Sequence, residues 1–183
     1  ADGRAVYPKA GERDVPLRIE MDSLDLAKAG NPSSWIIQSD DPIYGQGLPV
    51  SRTGRKSKGR EYVVLGGPFR VEWVMEHWIY LILPQPMKAG KSYTLGGAAL
   101  QGVQGRASVI FGPGGTVSDS IHVNQIGYAP QALKKYAYLS AWMGDLGGLS
   151  LDKEVTGGFK ILERSTGRVV FNGMPKLRKA AGA

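Results

Sequence analysis

The sequence predicts an all-β chain made of two tandem antiparallel β-sandwich domains, the second of them incomplete. Three observations predict it. Apolar residues alternate with polar ones in short runs, as in 15–21, where Val15, Leu17, Ile19 and Met21 interleave with Pro16, Arg18 and Glu20. Glycine and proline, at 26 and 11 residues, interrupt these runs often enough to end each strand within a few positions. No long 3.6-residue apolar period runs through the chain.

Taken in order, 22–31 reads as a single helical turn or a loop, and 35–38, starting at Trp35, as a second strand. The stretch 39–49 contains Asp40, Asp41, Pro42 and Gly45 and reads as a turn-rich connection. The cation-rich run 51–60 follows as a hairpin tip, leading into a strand at 61–65 that Gly66, Gly67 and Pro68 close. Residues 69–75 alternate strictly, with Phe69, Val71, Trp73 and Met75 on one face, while 77–83 is apolar on both faces, as in the middle of a sandwich. Pro84 and Pro86 turn the chain into 91–95, a glycine-rich loop spans 96–105, and 107–111 is the last strand of the first block.

The glycine- and serine-containing run 112–120 is the expected linker, which divides the chain into domains at 1–117 and 118–183. Four strands are readable in the second block, at 121–123, 136–139, 159–162 and 169–171, whereas a complete sandwich of this kind has about seven. The chain begins without an initiating Met. That start points to a leader or further sequence having been removed, and the missing strands lead to the expectation of an amino-terminal piece of a longer protein, interrupted within its second domain.

Composition removes several classes. With 42% hydrophobic and 21% charged residues the chain is a folded globular protein, not a disordered one. No apolar run reaches the roughly 18 residues that would span a bilayer. Cysteine is absent, which excludes disulfides, thiolate metal sites and a cysteine nucleophile. The positive charge is local: Arg52, Arg55, Lys56, Lys58 and Arg60, with Lys176, Arg178 and Lys179, outnumber the formal net charge of +7.

Motifs that carry chemistry are weak. Ala89, Gly90, Lys91 and Ser92 resemble the end of a phosphate-binding loop, but Gln85 stands where the first glycine belongs and a strand follows instead of a helix. The loop 96–105 lacks the strand-to-helix setting of a dinucleotide site. Asp22, Asp25, Asp40 and Asp41 lack calcium-loop spacing and read as loop caps. His77 and His122 have no metal-ligand partner at helical spacing. The expectation is no catalytic residue, no metal site and no cofactor.

The run 51–60 could hold an anion, yet no aromatic residue is interleaved within it, so it reads as a solvated tip and no nucleic-acid partner is expected. Flat aromatic side chains are the natural contacts for sugar rings. The candidates are Trp35, Tyr44, Trp73, Trp78 and Trp142; Trp35, Trp73 and Trp78 lie on strands and read as core, while Tyr44 and Trp142 flank loops and read as the more exposed.

The stretch 121–130 opens the second block. It holds Val123, Asn124 and Gln125, then Gly127, Tyr128 and Pro130, followed by Lys134 or Lys135 before the strand 136–139, a Phe159-led strand at 159–162, and Val169, Val170 and Phe171 with Gly173. As an ordered set these residues resemble the immunoglobulin-like module that precedes the catalytic domain in family 9 glycoside hydrolases, the cellulase and endoglucanase family, over about 119–183. The resemblance implies an immunoglobulin-like fold and a non-catalytic, stabilising role in an exported polysaccharide-degrading enzyme, extracellular or periplasmic in a bacterium. Its partner would be a downstream catalytic domain of the same polypeptide, and Val123, Asn124, Gln125, Gly127, Tyr128 and Pro130 would form the domain interface. Two other classes stay open: a carbohydrate-binding module working through exposed Trp or Tyr, with polysaccharide as partner, and a surface adhesion or scaffold protein of repeated sandwiches.

Overall fold

The chain divides into two units, Ala1–Val117 and Ser118–Ala183, in a computed structural model that describes residues 4–5, 19–20, 24–64, 71–98, 107–112, 118–151 and 157–178. Most of the expected strand at 15–21, the turn at 66–68 with Phe69 and Arg70, most of the loop 96–105 and the middle of the expected linker lie outside the described residues. The fold is all-β: its strands pair antiparallel, with one short α-helix and brief 3-10 turns between them among the described residues.

In the first unit β1 (Arg4–Ala5) pairs with β2 (Ile19–Glu20). The expected helical turn is α1 (Leu26–Gly30), which starts where the Asp25 carboxylate accepts the Lys28 amide at 3.0 Å. Its last carbonyls are satisfied from elsewhere: the Trp35 indole donates to Ala29 at 2.9 Å and the Thr53 hydroxyl to Gly30 at 2.6 Å. Trp35 is thereby fixed in the core.

Next come β3 (Ile36–Ser39), β4 (Leu48–Pro49), β5 (Arg52–Val64), β6 (Val71–Ile82), β7 (Ser92–Gly96) and β8 (Ala107–Ile110). Four of them form one antiparallel sheet in the order β4-β3-β7-β8. Ile37 and Tyr93 from this sheet bury against Ala29, Trp35, Tyr44 and Val50, and Leu81 and Leu83 pack on that cluster from the root of β6.

A buried polar clamp holds the loops around this core. Asp41, fully buried, accepts hydrogen bonds from the Lys88 ammonium at 3.0 Å, the Ile43 amide at 3.2 Å and the Tyr93 hydroxyl at 3.3 Å. The neighbouring Asp40 accepts the Ser92 amide at 2.9 Å. Asp25, Asp40 and Asp41 are thus caps and ties for backbone amides.

The hydrogen bond from Lys88, helped by the Ile43 amide, the Lys88 charge and the Tyr93 hydroxyl, outweighs the cost of burial and holds the Asp41 pKa below its ordinary value. A carboxyl depressed in the fold stabilises it above the unfolded pKa, and that contribution is lost as pH falls through the folded pKa. The unfolding temperature of the first unit is therefore expected to drop on acidification below about pH 4, and Asp41→Asn should flatten the drop. An unchanged acid slope in melts of the variant would show that this clamp is not what titrates.

β5 and β6 pair antiparallel from Arg52↔Ile82 to Val64↔Val71, with a bulge between Gly59 and Glu61. This corrects the reading of 51–60 as a hairpin tip: the cations lie along a strand, because the largely apolar β6 pairs with the run residue by residue as far as the bulge. The separate strands expected at 69–75 and 77–83 are likewise one strand. About twelve rungs at 3.3 Å each make a ribbon about 40 Å long.

The second unit contains β9 (Ile121–Val123) paired with β10 (Ala137–Leu139), and β11 (Phe159–Leu162) paired with β12 (Val169–Gly173). A bridge joins Trp142 and Gly148 around a 3-10 turn at Gly144–Leu146.

Candidate interaction surface

The loop between β9 and β10 is tied up by its own polar groups. Asn124 accepts the Ile126 amide through its side chain and the Gly127 amide through its carbonyl, both at 3.1 Å. Gly127 completes this turn at φ +93°, a conformation that a side chain would strain. The Tyr128 hydroxyl donates to the Tyr136 carbonyl, and the Lys135 ammonium donates to the carbonyls of Pro130 and Ala132, each at 3.1 Å. The loop is thus tied together by several of its own polar groups.

Among its exposed residues two aliphatic side chains stand out. Ile126 and Leu133 are fully exposed, at 99% and 101%, and Val123 and Tyr128 are exposed with them. Pairing in register puts Ile121 opposite Leu139 and Val123 opposite Ala137, a continuous aliphatic face. On the other face Tyr136 and Tyr138 stack at 6.3 Å between centroids, with the Arg178 guanidinium 5.4 Å from the Tyr138 ring.

The second ribbon repeats the pattern. Phe159 and Phe171 meet at 5.9 Å, and the Phe159 ring lies over Gly173, where a Cβ would come within 2.5 Å of it. Both rings are nonetheless exposed, as are Ile161, Leu162 and Val170. No described residue of this unit is buried. Contiguous apolar faces of this kind mark interaction surfaces in soluble proteins.

Residues 116–183 match the family model of the cellulase N-terminal ig-like domain. The match covers the second unit and bears out the resemblance read from Val123, Asn124, Gln125, Gly127 and Tyr128. No curated protein and no solved structure matches the chain.

Within the ig-like segment Val123 ends β9, and Asn124, Gln125, Gly127, Tyr128 and Pro130 lie in the loop that follows it. The structure adds Ile126, Leu133, Tyr136 and Tyr138, which the sequence reading did not single out. Ile126 stands inside a turn in which Asn124 accepts both its amide and that of Gly127. His122 bonds the Ser140 carbonyl at 3.1 Å through Nε2. Among the described residues no three His, Asp or Glu side chains gather as a metal site.

The aromatic candidates divide differently from the expectation. Tyr44, expected at a loop surface, is 0% exposed, because its hydroxyl both donates to the Gln85 carbonyl and accepts the Gln85 amide while its ring meets Tyr93 edge-on at 5.6 Å. Trp35 is buried too. Neither can touch a sugar. Trp73, expected in the core, is 54% exposed, because it stands on the outer half of the β5–β6 ribbon, packed beside Tyr62 at 5.4 Å and flat over Gly59. Trp78 is half-buried under the Lys56 ammonium, and Trp142 is 61% exposed.

The amides at 90–92 that would cradle a phosphate are engaged: Gly90 donates to the Phe111 carbonyl, Lys91 to the Lys88 carbonyl and Ser92 to the Asp40 carboxylate. No helix among the described residues is long and apolar enough to cross a membrane.

Proposed function

We propose that the ig-like segment is a non-catalytic packing platform in a polysaccharide-degrading hydrolase, exported from the cell, where it stabilises and positions the catalytic domain of the same polypeptide. The observation that carries this reading is the pair Ile126 and Leu133, fully exposed on a loop that Asn124, Tyr128 and Lys135 tie from within. A loop pre-tied in this way places two aliphatic side chains at low entropic cost, and burying each one contributes about 2 kcal/mol.

The test is calorimetry of the parent enzyme. Ile126→Ser with Leu133→Ser is expected to lower the unfolding temperature of the catalytic domain by several degrees, as about 4 kcal/mol of interface burial is lost. Replacing Arg52 and Lys58 by Gln, on the first unit, should leave that transition in place. Equal and negligible shifts in both variants would remove the reading.

A second reading, sugar binding by exposed rings, is favoured by Trp73. Its indole lies flat over Gly59, where a Cβ would come within 2.6 Å, so its outer face is open to a sugar ring.

A further inference from the structure

The β5–β6 ribbon takes no part in the packing proposed above. Cross-strand partners share a face, which puts Arg52 and Lys56 on one side toward the root and Lys58 beside Glu76 halfway along. Past the bulge, Glu61 and Glu72 continue the same face opposite Val74 and Val63. Ile79 and Leu81, which pack on the core, belong to the other face. Arg52, Lys56, Lys58, Glu61, Glu72 and Glu76 are all exposed, and none enters an ion pair among the described residues. The face is therefore basic toward the root and acidic toward the far end, with three cations and three carboxylates in register. Arg60, the extra residue of the bulge, adds a cation between the two halves.

At about 3.3 Å per rung, Lys56 lies about 13 Å from Arg52, Lys58 and Glu76 about 20 Å, Glu61 about 26 Å and Glu72 about 33 Å. A partner of one charge sign would be attracted by one half of this face and repelled by the other. What fits along the whole length is a partner carrying the same two halves in reverse order. A second copy of this chain, turned end for end, supplies it. With the two ribbons overlapping by about 33 Å, Arg52 comes over Glu72 of the second copy and Lys56 over its Glu76, and the two-fold axis repeats both pairs.

The geometry points to a two-fold dimer in which these faces of two β5–β6 ribbons lie antiparallel, the basic half of each on the acidic half of the other. Trp73 stands on the opposite face of the ribbon and takes no part in the contact. A ribbon two strands wide makes a small interface held mainly by solvated charges, so the dimer is weak, with a dissociation constant of about 100 μM at low salt.

Sedimentation equilibrium of the whole chain, from about 10 μM to about 1 mM, tests it. The wild type should dimerise at about 0.1 M NaCl. At about 1 M, where the screening length falls from about 10 Å to about 3 Å, association should weaken about tenfold. Glu61→Lys with Glu72→Lys makes the face almost wholly basic, and Arg52→Glu with Lys56→Glu makes it almost wholly acidic. Each double variant alone should self-associate about tenfold more weakly than wild type, whereas an equimolar mixture of the two should recover a one-to-one complex. Glu72→Lys alone, at an exposed position, should give a smaller loss in the same direction and keeps the test valid if a double variant misfolds. A wild type that stays monomeric throughout overturns the inference. So do variants that dimerise as the wild type does, or two folded double variants that stay apart when mixed. Association that strengthens with salt would be apolar and overturns it too. Ile126→Ser with Leu133→Ser should dimerise as the wild type does; a loss there would move the contact to the second unit and overturn the ribbon dimer. Calorimetry of that variant reads the packing role separately, so either idea can fail while the other stands.

Discussion

Tyr44→Ala is expected to destabilise the first unit by about 4 kcal/mol, within the range for deleting a buried aromatic side chain. Tyr44 is fully buried and meets Tyr93 edge-on. Its hydroxyl holds both the amide and the carbonyl of Gln85, 41 positions further along. Removing the ring leaves a cavity beside Trp35 and Ile37 and frees the 84–88 segment, whose Lys88 ammonium is one of the three donors to Asp41. Tyr44→Phe keeps the packing and loses only the hydroxyl bonds, so it should cost about 1 kcal/mol. Urea unfolding of the two variants gives the ranking. A Phe variant as unstable as the Ala variant would mean that the Gln85 bonds, not the packed ring, hold this corner together.

The same residue shows where sequence reading stops. Short alternating runs gave β3, β7, β8 and the four strands of the second unit close to their observed positions, since period-two alternation is a local property of the chain. Tyr44 lies in a proline-led turn, where local chemistry says surface. What buries it is Gln85 and Tyr93, and nothing near position 44 encodes either. The basic run failed for a related reason. Lys and Gly are poor strand formers and the run has no apolar residue, so 51–60 looks like a tip until β6 is known to pair along it. Trp73 was expected inside because its strand alternates, but alternation shows that two faces differ and not which one is covered.

In the ig-like segment the signal was compositional order: Val123, Asn124, Gln125, Gly127 and Tyr128 were legible as a set, and the family match covers them. The exposure of Ile126 and Leu133 was not. Aliphatic residues in a turn are normally explained by a core beneath them. Only the folded loop, tied by Asn124, Tyr128 and Lys135, shows that both side chains stand clear of its own strands.

Gly97→Ala is the second large effect, expected to cost about 3 kcal/mol from backbone strain and a steric clash together. Gly97 sits at φ +111°, just past the end of β7, where Gly96 pairs with Ile36. A Cβ there would stand 2.3 Å from the Ser34 carbonyl oxygen and 3.1 Å from the Ile36 nitrogen. Both contacts are backbone, so no side chain can swing aside, and the segment that must move is the one that delivers Trp35 to the core. Gly90→Ala supplies the control. Its φ of +81° is also unfavourable for alanine, but nothing lies within 4 Å of the added carbon, so strain alone should cost about 1 kcal/mol. If thermal melts show the two variants equally unstable, the close approach of Gly97 to Ser34 contributes nothing beyond φ. If Gly97→Ala alone also raises the solvent exposure of Trp35 in fluorescence quenching, the clash is transmitted through Ser34 into the core.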